Sequence, residues 1–497
     1  MLNAFLTIGI FQLVTMAVLL VRTKALALLL GPDGVGVLAI VDKLLATVGQ
    51  AVSLSLPFAA VRFLPELWRR DHSEFLSLVR PMRNMLIFVG LVSTSVGVIV
   101  TWLDPRLWGA ELLPYRTIVF SGFISLPVII LVPFLQNAIA GRLAHNFSAL
   151  FILGHALVLT LASIAGVWVG GLSTFYILYA LVGMVLVIFT IVFVERKPAG
   201  AIGSKRLLFF QLKLPRKIWN FSLAVWALAF ITPFAALYVH YIVLRSHGIE
   251  VAGWMQCAMA VGLAVRNLLG RAHPLFLTPN VNSGGSVEER MCWASDFQKT
   301  FSMLSLVPAL PLLLFPHLIV SMLYSPAFLP AAPFVALFVI NEVLTLLTGT
   351  YQALILAFDH LAFHVFQNLI AQAMLIVGAT VSVPQYGVLG AGLASICAQL
   401  VLYCGSVLFL RRRHKFEVPV RSMMLSSFII MSLIASGIFG ALHAELSWGI
   451  VTSKLSLYAI SVAGMVTLLS AADRANLFGL FNGLSHRLAS VGARGEN

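Results

Sequence analysis

Apolar residues run about 20 at a time along most of this chain, separated by short polar or Gly/Pro-containing breaks. The runs are continuous, without the period-two alternation of a membrane β-strand, so each predicts an α-helix that crosses a bilayer. Six fall near 4–30, 35–60, 82–103, 115–140, 147–169 and 174–194. Eight more fall near 218–244, 251–278, 299–323, 331–357, 362–383, 388–410, 422–443 and 450–472. Most breaks are short, so consecutive spans form antiparallel hairpins. The pattern predicts an all-α, polytopic membrane protein of about 14 transmembrane helices.

Composition agrees with that reading: 60% of residues are hydrophobic and only 10% are charged. Charge adds direction. There are 32 Lys and Arg against 18 Asp and Glu, a formal +14. With a cytoplasmic N-terminus, 24 of those 32 cations fall at inner helix ends, inner connections or the C-terminal tail. The outer side holds only Arg106, Arg116, Arg245 and Lys454. The positive-inside rule then places both termini in the cytoplasm, and the basic surplus belongs to an anionic inner leaflet rather than to nucleic acid.

The longest basic connection, "ERKPAGAIGSKRLLFFQLKLPRK" (195–217), follows six spans. It divides the chain into an N-terminal lobe (1–194), a linker (195–217) and a C-terminal lobe (218–410). Two additional helices (411–472) and a cytoplasmic tail (473–497) complete it. The linker's "RLLFFQLKL" has the composition of an amphipathic helix on the inner surface. A faint internal echo accompanies the two lobes: "GPDGVGVLAI" (31–40) opens the second span as "GIEVAGWMQC" (248–257) opens the eighth. Each places a glycine, Gly36 or Gly253, at the outer end of its helix. Pro57, Pro127, Pro133, Pro233 and Pro311 fall within spans, where each removes a backbone hydrogen bond and kinks the helix.

Three stretches carry a family likeness: "RTKALALLLGPDGVGVLAI" (22–40) with "AAVRFLPEL" (59–67), "YSPAFLPAAPFVALFVINEVLTLLTGTYQALILAFDH" (324–360) and "VPQYGVLGAGLASICAQLV" (383–401). In these, in helix count and in order, the chain resembles the polysaccharide and O-antigen repeat-unit flippases of the multidrug/oligosaccharidyl-lipid/polysaccharide exporter superfamily, relatives of the lipid II flippases. The resemblance implies two lobes around a V-shaped cavity that opens alternately to each side. In the lipid II flippases, basic residues of the first, second and eighth helices line that cavity.

Four cations lie inside apolar runs: Arg22 and Lys24 before the turn at Gly31, Lys43 after it, and Arg266 in the eighth span. Asp42 adjoins Lys43. Arg22, Lys24, Asp42 and Lys43 all sit roughly 10–14 Å inside the outer end of their hairpin at 1.5 Å per helical residue. They share one depth and can face one another. An intramembrane charge costs roughly 2.5–3.5 kcal/mol on insertion scales, which makes it a functional candidate. One reading is an internal ion pair of Asp42 with Arg22 or Lys24; yet one carboxylate cannot neutralise three cations. A surplus of positive charge in a dry cleft attracts an anion, and a diphosphate accepts several charge-assisted hydrogen bonds at once. Arg22, Lys24, Lys43 and Arg266 are therefore the candidates for the diphosphate head. Glu342, near the middle of the tenth span, and Asp42 are candidates for ion coupling; Glu342 is also a candidate partner for Arg266.

The expected function is translocation of a polyprenyl-diphosphate-linked oligosaccharide, an O-antigen or exopolysaccharide repeat unit, across a bacterial inner membrane. Membrane lipids, a polysaccharide polymerase and glycosyltransferases are the expected partners. The alternatives are export of another amphiphile or a drug, or a membrane-embedded polymerase or ligase. Drug exporters handling organic cations want acidic groups, and the buried balance here is basic. No catalytic constellation, HExxH or Walker motif occurs, so neither an enzyme, a metal nor a cofactor is expected. Cys257, Cys397 and Cys404 lie in apolar runs, which argues against a disulfide framework.

Overall fold

The computed structural model describes residues 2–142, 145–195, 214–270, 286–415, 420–443 and 447–468, together with 212, 277 and 281. The expected amphipathic linker helix lies almost wholly outside these residues, as does the whole 473–497 tail. Among the described residues there are fourteen α-helices and no strand. The first seven are α1 (Leu2–Ser53), α2 (Leu56–Arg70), α3 (His72–Leu103), α4 (Arg116–Gly141), α5 (His145–Glu195), α6 (Arg216–His247) and α7 (Ile249–Leu269). The rest are α8 (Val287–Leu314), α9 (Pro316–Leu323), α10 (Ala332–Ala357), α11 (Leu361–Tyr386), α12 (Val388–His414), α13 (Val420–Leu442) and α14 (Trp448–Leu468).

Among the described residues, eleven helical stretches are long and apolar enough to cross a membrane, so the chain is a multi-pass, all-α membrane protein. Two of them, of 40 and 49 residues, are too long for one crossing. A straight 40-residue helix would reach about 60 Å, twice the hydrocarbon thickness. Both are broken at glycines: Gly31 (φ 63°, ψ −175°) divides α1, while Gly170 and Gly171 (φ 73°, ψ −161°) divide α5. Each is thus two of the expected spans. Gly31 occupies backbone space open essentially only to glycine, which explains why the chain turns there rather than at the neighbouring Pro32.

Helix boundaries depart from the apolar pattern in several places, and α8 begins at Val287 instead of 299. α3 begins at His72 instead of 82, because Arg80 and Arg83 within it both meet Glu195 at the end of α5. The second span stops at Ser53, where Leu54 and Ser55 take left-handed φ values, and α2 starts afresh. Pro57 therefore sits in the first turn of α2, where its missing N–H costs nothing, and does not kink a span. The ninth span divides between α8 and α9 at Phe315.

The turns recur in order. Positive-φ glycines close the hairpins at Gly31 and Gly171, and again at Gly248 and Gly387. Between the members of each pair lies a 3-10 connection: Pro105–Trp108 with Ala110–Tyr115, then Pro326–Ala331.

The described helices pack as two compact units, Met1–Cys257 with Val320–Ala331 and Asn368–Ala398, and Ala258–Ile319 with Ala332–Gln367 and Gln399–Asn497. In the first, α4 is the central element, packed by α1, α2, α3 and α5 and mostly buried. There the two echoed glycines meet. A Cβ on Gly36 would strike the carbonyl of Ile249 and lie 3.1 Å from the Gly253 amide, and one on Gly253 would strike the carbonyl of Pro32. The absence of both side chains lets α1 and α7 cross backbone to backbone. In the second unit, α8, α10 and α13 pack mutually, with α14 against α8 and α13.

Candidate functional site

The Gly31 and Gly171 breaks fold α1 and α5 into hairpins that lie against each other, and their inward polar residues form one cluster. Arg22, on the arm of α1 before Gly31, donates from Nε to Ser163 Oγ at 2.8 Å. Its guanidinium carbon sits 5.8 Å from the centre of the Phe175 ring. Its two terminal nitrogens make no hydrogen bond among the described residues. Asp42, on the arm after Gly31, accepts a 2.7 Å hydrogen bond from the Tyr176 hydroxyl at Oδ1. Tyr176 is buried and Asp42 is exposed. The carboxylate thus lies deep in the span, bonded to a buried tyrosine and within the field of Arg22. No nitrogen of Arg22 comes within ion-pair distance of it among the described residues. The two charges share an environment without touching.

Lys24 lies about half a turn nearer the Gly31 break. Its ammonium donates to the carbonyls of Ser321, at 2.9 Å, and of Tyr324, at the C-terminal end of α9. That end carries unpaired carbonyls and the negative pole of the helix, so a cation there is bound as a cap. Lys43 is half-buried and within electrostatic reach of Asp42 and of His240, which is itself wholly buried and hydrogen-bonded to Gln256.

Arg266 and Glu342 belong to the second unit. Arg266 Nη1 is 3.2 Å from Glu342 Oε2, with the arginine side chain 45% exposed and the carboxylate 13% exposed. The pair is close enough for an ion pair, yet Glu342 Oε2 makes no well-aligned hydrogen bond. Glu342 thus offsets the charge of Arg266 without saturating its donors. No group of three or more His, Cys, Asp or Glu among the described residues could hold a metal ion.

Four members of the Arg22 cluster were not legible as site residues. Ser163 and His155 sit in one apolar run and Tyr176 and Tyr179 in the next, where Ser and Tyr read as packing. His155 Nε2 and the Tyr179 hydroxyl are 3.0 Å apart, and both side chains are within reach of Arg22. The hairpin itself was expected, with spans at 147–169 and 174–194, but not the polar partners that it brings to Arg22.

No protein-family model matches the chain, and no curated protein matches it by sequence. Solved structures do. The lipid II flippase MurJ in an inward closed conformation superposes with a TM-score of 0.70 at 10% identity, over 94% of this chain and 98% of that one. An inward-facing multidrug resistance MATE family transporter of the MOP superfamily gives 0.59 at 12% identity, over 82% and 99%. A MOP superfamily transporter from Pyrococcus furiosus, noted for the reversed polarity of its binding pocket, gives 0.56 at 13% identity, over 82% and 95%. At these identities the likeness is one of fold: the chain has the fold of the MOP-superfamily transporters.

Proposed function

We propose that this protein flips a polyprenyl-diphosphate-linked oligosaccharide, an O-antigen or exopolysaccharide repeat unit, from the cytoplasmic to the periplasmic leaflet of a bacterial inner membrane. The observation that carries the reading is Arg22: a half-buried guanidinium deep in a membrane span, with neither terminal nitrogen hydrogen-bonded among the described residues. Such a fork matches the geometry of a phosphate oxygen pair. The fold likeness to MurJ, spanning nearly the whole of both chains, supports transport of a lipid-linked substrate over other uses of the fold.

Arg22, Lys43 and Arg266 are the proposed headgroup cations. Lys24 enters as the residue that anchors the first arm of α1, its ammonium already engaged by carbonyls. Asp42 and Glu342 are the proposed coupling carboxylates, each facing an arginine whose charge it can offset. The recurrent order of glycine hairpins and 3-10 connections supports two six-helix lobes followed by a C-terminal pair. The polyprenyl tail stays in lipid while the lobes open alternately to each side. Membrane lipids, glycosyltransferases and a polysaccharide polymerase are the fitting neighbours.

The direct test is binding. Detergent-solubilised wild type, Arg22→Gln and Arg266→Gln are titrated with a fluorescent polyprenyl diphosphate. Loss of a charged hydrogen bond is worth about 1.5–3 kcal/mol, so Arg22→Gln is expected to weaken binding roughly 10-fold or more. Arg266→Gln is expected to weaken it less, because Glu342 already engages that charge. Unchanged affinity in the folded Arg22→Gln protein would contradict the proposal.

A further inference from the structure

We infer that Tyr176 is a positioning residue that holds Asp42 off Arg22, and that Asp42 is a built-in competitor for the substrate's diphosphate; the inference rests on the headgroup reading above. An arginine and a carboxylate in one another's field attract, and close to a bidentate pair unless something restrains them. Here they stay apart. Three contacts account for it. The Tyr176 hydroxyl holds Asp42 at Oδ1, Ser163 Oγ holds Arg22 at Nε, and the Phe175 ring lies beside the guanidinium. The second carboxylate oxygen of Asp42 makes no hydrogen bond among the described residues. The side chain is therefore tethered at one point only.

Two arrangements follow from that tether. With Asp42 on Tyr176, the Arg22 fork is open and accepts a diphosphate. With Asp42 released from Tyr176 and rotated onto Arg22, the fork is filled and the anion is displaced. The exchange gives up one neutral-donor hydrogen bond and gains a charged, two-point one, so the closed arrangement needs no partner from outside the cluster. Tyr176 sets the balance between them. It sits in the span after Gly171, and Asp42 in the span after Gly31, so relative movement of the two hairpins alters the distance across which the hydroxyl must reach. Release of the head is thereby tied to the movement of α5 against α1.

The test compares wild type with Tyr176→Phe, Asp42→Asn and the double variant, each confirmed folded by its unfolding midpoint in detergent. A fluorescent polyprenyl diphosphate is the probe, and Arg22→Gln is the control. Tyr176→Phe frees Asp42 and is expected to weaken binding at least tenfold. Asp42→Asn removes the competitor's charge and is expected to bind at least as tightly as wild type while translocating more slowly. The double variant is expected to return to the affinity of Asp42→Asn. A binding loss in Tyr176→Phe that persists in the double variant would mean the hydroxyl acts without Asp42, and would overturn the inference. So would wild-type binding by Tyr176→Phe. Should Tyr176→Phe not fold, Asp42→Asn decides alone: unchanged affinity together with unchanged turnover overturns the inference. If any of these results comes with Arg22→Gln still defective, the headgroup reading stands without the tyrosine. If Arg22→Gln binds like wild type, the headgroup reading itself fails and the inference with it.

Discussion

Arg142 lies just past the end of α4 and donates from Nη1 to the Phe193 carbonyl at 2.7 Å, while its guanidinium stacks 4.7 Å from Trp68 and 5.2 Å from Phe193. The same use of a cation recurs: Arg116 reaches the carbonyls of Thr101 and Trp102 at the end of α3, Arg290 that of Ala357 at the end of α10, and Lys454 that of His443 past α13. In lipid an unpaired carbonyl at a helix end has no water to turn to, so a basic side chain is the available donor. Removing one should cost stability. Arg142→Ala is expected to destabilise by roughly 1.5–3 kcal/mol, as loss of a charged hydrogen bond does, whereas Arg106→Ala should change stability by less than about 0.5 kcal/mol. The Arg106 side chain is 71% exposed and pairs only with Asp104 beside it in sequence. Unfolding of both variants in detergent checks the contrast, and equal effects would refute it. At this scale the sequence reveals charges but not their duties. Arg22, Asp42, Arg266 and Glu342 stand out in apolar runs and prove to be two neighbouring pairs. Lys24 stands out equally and proves to be bound to carbonyls. Tyr176 does not stand out at all, because its partner Asp42 is 134 positions away.

Glycine placement governs the elements. At Gly253 any side chain meets the Pro32 carbonyl, so Gly253→Ala forces α7 away from the turn of α1. At Gly154 nothing lies within 4 Å, and Gly154→Ala gains about 1 kcal/mol of helix propensity. The expected outcome is a lowered unfolding midpoint and reduced transport for Gly253→Ala, and neither for Gly154→Ala. A wild-type midpoint for Gly253→Ala would contradict the close crossing. Gly31→Ala meets no atom, yet should cost about 1–3 kcal/mol through its backbone conformation alone. The spans were readable because most apolar runs are a bilayer's length. Their ends were less so, since Arg80 and Arg83 read as a loop until Glu195 is seen to accept both. The "GPDGVG" and "GIEVAG" echo was visible in sequence, whereas the contact between its two glycines was not.

For the molecule as a whole, the proposed orientation and the proposed transport are separate matters. Cys292, exposed near the start of α8, falls on a connection assigned to the cytoplasm by its basic residues. In a variant whose other cysteines are replaced by serine, a membrane-impermeant maleimide should label Cys292 only after cells are permeabilised. Labelling in intact spheroplasts would reverse the topology. The function is tested most directly by translocation of a fluorescent polyprenyl-diphosphate oligosaccharide between the leaflets of proteoliposomes, comparing wild type with Arg22→Gln and Arg266→Gln. The account predicts that wild type moves the lipid and that Arg22→Gln, inserted and folded, moves it at least tenfold more slowly, with Arg266→Gln between the two. Wild-type rates in Arg22→Gln would remove the arginine from the headgroup site, and no movement of the lipid by wild type would contradict the flippase account itself.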